Sequence, residues 1–136
     1  MARSPEFPEV QPGAIVWCRF PASGIPGPGP KTRPALVVRT GDIDGVAAVE
    51  VAYGTSQRVD DLFPGEFSVT PDDGEAFRLS GLSYPTKFDL SRRVELPFNK
   101  RWLAVAPGAP FGQTPQMGIL HPVLVRRAAA AYKATR

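Results

Sequence analysis

The sequence predicts one mainly β domain spanning residues 1–136, a small barrel of short strands with a C-terminal helix. Three observations lead there. The chain holds 16 Pro and 13 Gly among 136 residues, a density of breakers that excludes long helices over most of its length. Between the breakers lie short runs rich in β-branched and aromatic residues, the composition of strands. Only the tail, PVLVRRAAAAYKA over residues 122–134, has the Ala, Leu, Arg and Lys content of a helix.

Residues 1–11 carry Pro, Arg and Glu with little apolar pattern and are expected to form a flexible N-terminal arm. They contain no apolar core of a secretory signal. Residues 13–20, GAIVWCRF, read as the first strand. Apolar residues fall on both of its faces, as in a buried wall strand. Residues 22–30, ASGIPGPGP, are an exposed loop, since neither strand nor helix tolerates that spacing of Pro and Gly. A second strand follows over residues 34–39, with Pro34 at its first position, where a missing N–H is tolerated. A turn is expected over residues 40–45, a third strand over 46–53 and a fourth over 66–70. Asp60-Asp61 and Asp72-Asp73 read as turn residues, because adjacent carboxylates on a strand point to opposite faces. Weaker strand patterns cover residues 92–96 and 102–106, and residues 107–115 form another breaker-rich loop. Pro122 suits the first turn of the terminal helix.

Hydrophobic residues make up 43% of the chain and charged residues 21%, a globular composition rather than a disordered one. No apolar run approaches the ~20 residues of a membrane-spanning helix. Cys18 is the single cysteine, which excludes an internal disulfide and agrees with a reducing, cytoplasmic setting. The net charge is only +3, yet it is unevenly spread. From Ala76 onward ten Lys or Arg face two acids, Asp89 and Glu95. A basic half suits a polyanion or an acidic protein partner, and suits a plain solvated face equally well.

The order of the first motifs carries a resemblance. Pro12-Gly-Ala-Ile-Val-Trp-Cys-Arg-Phe-Pro21, then a loop, then Lys31-Thr-Arg-Pro-Ala-Leu-Val-Val38, then Tyr53-Gly-Thr-Ser-Gln57 resembles the opening of the MazF/PemK toxins. That family pairs a G-D-[IV]-V-W-x-x-F strand with an R-P-[AV]-[LV]-V strand and ends its third strand in T-x-Q. The likeness covers about the first 60 residues. It implies an SH3-like barrel of the MazF/PemK/CcdB type, working as a homodimer. It also implies the toxin of a type II toxin–antitoxin pair: a metal-independent, cofactor-free endoribonuclease that cuts single-stranded RNA at short motifs. The RNA's own 2′-hydroxyl is the nucleophile, and a 2′,3′-cyclic phosphate is left. A cognate antitoxin is the implied protein partner.

Such chemistry needs in-line geometry and positive charge on the phosphorane rather than a protein nucleophile. By resemblance Arg33 and Thr55 are the catalytic residues. A guanidinium at a loop–strand junction grips a phosphate with parallel hydrogen bonds, and a threonine hydroxyl donates to a phosphate oxygen. The plain alternatives are a surface arginine heading a strand and a turn threonine. Lys31, Ser56, Gln57, Arg58, Lys87 and Arg19 are the candidate RNA-binding residues, with Arg92 and Arg93 near Lys87 in sequence. Tyr84 or Phe88 is placed to stack a base. His121, the only histidine, precedes the helix and reads as a cap rather than a general base. One histidine and one cysteine cannot form an ordinary zinc site. The sequence departs from the family at Ala14, Arg19, Pro85 and the proline-rich loop over residues 21–32, which bears on cleavage specificity and on activity itself. Two other functions compete: a non-catalytic SH3-like binding module or inactive toxin, and a gyrase poison of the CcdB type. The latter relies on a C-terminal Trp-Gly-Ile, whereas this chain ends in Tyr132-Lys-Ala-Thr-Arg136.

Overall fold

The structure is a computed structural model that describes residues 5–135. Six antiparallel strands form one sheet: β1 Ala14–Cys18, β2 Arg33–Ile43, β3 Val46–Thr55, β4 Glu66–Val69, β5 Thr86–Pro97 and β6 Gln116–Ile119, in the spatial order β4-β5-β3-β2-β1-β6. Two helices accompany them, α1 Glu75–Ser80 and α2 Pro122–Lys133, with a 3-10 turn at Pro71–Asp73. The fold is thus mainly β with a C-terminal helix, as the breaker density and the tail predict.

Backbone pairing leaves β4 and β6 as the two edges, yet the chain brings those edges together. β4 runs through the 3-10 turn into α1, and the end of α1 lies against β6. A Cβ at Gly118 on β6 would collide with the carbonyl oxygen of Leu79 and the backbone of Ser80. The sheet therefore curls into a barrel-like shape closed by backbone packing at Gly118 rather than by a sixth ladder between β4 and β6.

Both faces of the curled sheet are buried, which explains the apolar character of β1 on each side. One face holds Ile15, Leu36, Ala52, Phe67 and Phe88, covered by Leu124 and Ala131 of α2. The other holds Val16, Cys18, Ala35, Val37 and Val51, covered by Phe7, Val10, Phe98 and Leu103. Phe7 and Val10 are 3% and 5% exposed, so the expected free arm over residues 1–11 is instead pinned from Phe7 onward. Residues 1–4 of that arm lie outside the described residues.

Several elements differ from the sequence reading. The turn expected over residues 40–45 shrinks to Asp44 and Gly45, which have φ of 52° and 82°. Ile43 pairs with Val46 across it, the two-residue hairpin geometry that favours positive φ at both positions. Residues 102–106 form no strand, because β1 already has β2 on one side and β6 along part of the other. Only a single bridge, Cys18 to Leu103, fits beyond the end of β6. The helix α1 and the strand β6 carry too few residues for a readable period. β5 is 12 residues long, more than twice the segment its apolar pattern suggests. The expected helix cap does form: His121 Nδ1 accepts a hydrogen bond from Val123 N at 3.1 Å, with Pro122 in the first turn.

Candidate functional site

Arg33 opens β2 and Thr55 closes β3, neighbouring antiparallel strands whose pairing runs as far as Ala35 with Tyr53. The two sequence-predicted catalytic residues therefore stand at the same end of the sheet. Both line one cleft of about 520 Å³, together with Lys31, Ser56 and Gln57. Its far wall is the segment after α1, Leu82 to Tyr84, with Trp17 and Met117 as apolar floor. Tyr84 is 70% exposed and also borders a neighbouring depression lined by Ser56, Arg58, Asp60 and Asp61.

The polar geometry leaves usable donors. Thr55 Oγ1 accepts from Gln57 N at 3.1 Å, so its own hydroxyl proton remains to be donated. Arg33 Nη1 donates to Tyr53 Oη at 2.7 Å, which fixes the guanidinium while its other N–H groups stay available. The Arg33 guanidinium also lies 5.1 Å from the Tyr53 ring centre. Tyr53 in turn meets Phe20 edge-on at 5.3 Å, so the phenol that holds Arg33 is itself wedged against the start of the proline-rich loop. That loop is tied back where Gly29 N donates to the carbonyl of Arg19. A Cβ at Gly29 would strike the Phe20 carbonyl, which explains why glycine stands at this approach.

Three of the expected RNA-binding residues sit elsewhere. Lys87 is 6% exposed, and its Nζ donates to Glu66 Oε1 at 3.0 Å and to the Asp61 carbonyl at 2.9 Å. A buried ammonium needs such partners, and here it clamps the loop carrying Ser56, Gln57 and Arg58 instead of reaching the cleft. Arg19 Nη1 donates to the carbonyls of Lys100 and Leu103 at 3.0 and 3.3 Å, on the side of the segment that covers the second core. Arg58 is exposed with φ of 51° and faces the neighbouring depression. Phe88 is fully buried and cannot stack a base, whereas Tyr84 can. Arg93 pairs with Glu50 of β3 at 3.6 Å and lies 5.1 Å from the ring centre of Tyr132 on α2.

Sequence reasoning missed Tyr53 as the partner of Arg33, and of the Leu82–Tyr84 wall it found only Tyr84. The wall depends on α1 and β6, neither of which the sequence displays. Among the described residues no group of three or more His, Cys, Asp or Glu gathers at metal-binding distance, and no helix is long and apolar enough to cross a membrane. No protein-family model matches the chain, and no curated protein matches it.

Proposed function

We propose that this chain is a metal-independent endoribonuclease of the MazF/PemK kind, the toxin of a type II toxin–antitoxin pair, built on an SH3-like barrel. The observation that carries this reading is that Arg33 and Thr55, at adjoining ends of β2 and β3, line one cleft. The order of motifs in the first 57 residues, which resembles that of the MazF/PemK toxins, assigns the catalytic roles to the same two residues.

The cleft suits a single RNA strand. Lys31 and Arg33 bring positive charge for a phosphate, and exposed Tyr84 offers a ring on which a base stacks. With the scissile phosphate between Arg33 and Thr55, the 2′-oxygen attacks phosphorus as its proton passes to solvent water, and the P–O5′ bond breaks as the 5′-oxygen of the next nucleotide takes up a proton and departs. Arg33 stabilises the charge that grows on the phosphorane oxygens, and Thr55 donates to one of them. Proton donation to the departing oxygen is the second role this reading gives Arg33. Free arginine hardly deprotonates, so charge stabilisation is its larger contribution.

The same basic cleft suits an acidic, disordered antitoxin segment that folds on binding and blocks RNA. A homodimer in the cytoplasm completes this reading.

Incubation of the purified protein with a long unstructured RNA in EDTA, beside Arg33→Ala and Thr55→Ala, tests it. Wild type is expected to give discrete fragments, and each variant to lose about 10²–10³ in rate, as for removal of one oxyanion donor. Equal cleavage by all three proteins would remove the site. No cleavage by wild type, with RNA still bound, would favour the non-catalytic binding module.

A further inference from the structure

A second guanidinium stands beside Arg33 through the same tyrosine. The ladder between β3 and β5 steps from Ala52 opposite Arg93 to Tyr53 opposite Asp89. Leu90, Ser91 and Arg92 are thereby looped out of register, the kind of bulge that re-aims a side chain. Asp89 Oδ1 secures the bulge by accepting from Ser91 N at 2.9 Å. The result lays the Arg92 guanidinium 4.1 Å from the Tyr53 ring centre and 5.4 Å from that of Phe20. Arg33 lies 5.1 Å from the same Tyr53 centre, so one phenol carries two cations.

Arg92 has no hydrogen-bond or ion-pair partner among the described residues, in contrast to Arg93, Arg127 and Lys87, which face Glu50, Asp73 and Glu66. Two cations held near one ring repel, and no carboxylate is paired with either of them. An anion between them relieves that repulsion. Stacking engages the flat face of a guanidinium and leaves its N–H edges free, which is the geometry that grips phosphate.

We propose that Arg92 is a second phosphate-binding residue, mounted on Tyr53 beside Arg33 and holding a phosphate of the RNA chain other than the scissile one. The inference rests on the ribonuclease reading above and gives a binding role to a residue that the sequence marks only by its nearness to Lys87. The β5 bulge sets the register of the strand: Arg33 takes the phosphate being cut, and Arg92 fixes where its neighbour lies.

The test is the salt dependence of binding to a 2′-O-methyl RNA oligonucleotide, which cannot be cleaved by internal attack. Each phosphate contact on a single strand adds about 0.7 to the slope of log K against log salt. Arg92→Gln is expected to lower the slope by about that amount and to weaken binding several-fold at low salt. Arg92→Lys is expected to keep the wild-type slope. An unchanged slope in Arg92→Gln would overturn the assignment, even with weaker binding, because a purely structural arginine changes affinity without changing the ion count. A wild-type protein that does not bind the oligonucleotide at all would overturn the ribonuclease reading and this inference together. Binding with equal slopes in wild type and Arg92→Gln would overturn this inference alone.

Discussion

The proposed role of Arg33 requires a guanidinium that is held still, and Tyr53 Oη accepts a hydrogen bond from it at 2.7 Å. Tyr53→Phe keeps the ring under Arg92 and removes that hydrogen bond. Its cleavage rate is expected to fall about tenfold, roughly 1.4 kcal/mol of transition-state stabilisation, with KM little changed. A KM rise at constant kcat would instead mark Tyr53 as a general binding group. Cys18 is a second residue with a sharp expectation. Burial pushes its thiol from 9.0 up to about 12, because the low-dielectric core disfavours the thiolate. The folded thiol should resist alkylation at pH 8 and react at once in denaturant. The raised value also sets a pH dependence. The unfolded chain loses its thiol proton near pH 9 and the folded chain only near 12, so this contribution is intact below 9 and is lost between 9 and 12. Urea midpoints of wild type and Cys18→Ala at pH 7 and pH 10.5 would show wild type losing more. That Arg33, Thr55, Ser56 and Gln57 gather at one candidate cleft was legible because their neighbours along the chain define the strand ends. Tyr53 and Arg92 were not, because their meeting depends on a bulge between two strands far apart in sequence. Lys87 read as an RNA contact since a lysine's burial cannot be seen without its partner Glu66.

At the scale of elements, the closure of the fold depends on α2 and on Gly118. Arg127 of α2 reaches Asp73 at 2.9 and 3.1 Å and the Ser68 carbonyl at 2.7 Å, tying the helix to β4 and to the 3-10 turn. The Arg127 hydrogen bond holds the Asp73 carboxyl below its usual value of 3.8. The sign follows: the pair stabilises above the unfolded carboxylate value and is lost as pH falls through the lower folded one. Arg127→Gln is expected to cost about 1–2 kcal/mol at pH 7, discounted for the partial exposure of the arginine, and distinctly less at pH 3, as read from urea unfolding. Gly118→Ala would drive a methyl into the backbone of α1. It should cost about 3 kcal/mol or more, since backbone cannot move aside as a side chain does. A Tm within a few degrees of wild type would refute the packed closure. The four strands from Ala14 to Val69 and the terminal helix were readable because each carries a periodic or compositional signal. β6 and α1 were not: at 4 and 6 residues they are placed by contact with each other, not by their own propensities.

On the scale of the whole molecule, the lopsided charge of the sequence is partly consumed inside the fold. Lys87, Arg93 and Arg127 from the basic half pair with Glu66, Glu50 and Asp73 from the acidic half. Among the described residues, the cations near the cleft without a carboxylate partner are chiefly Lys31, Arg33 and Arg92, so the proposed RNA binding should depend on a few phosphates rather than on a broad basic face. The same cleft is where an acidic antitoxin segment would compete, and an excess of a short acidic peptide with that property should inhibit cleavage without altering Tm. The most direct measurement uses an RNA bearing one 2′-deoxy nucleotide immediately 5′ of a mapped cut site, incubated in EDTA with the wild-type protein. Internal attack predicts loss of that cut alone, with every other site still cleaved to a 2′,3′-cyclic phosphate end. Continued cleavage at the deoxy position would contradict attack by the 2′-hydroxyl, and with it the chemistry assigned to Arg33 and Thr55.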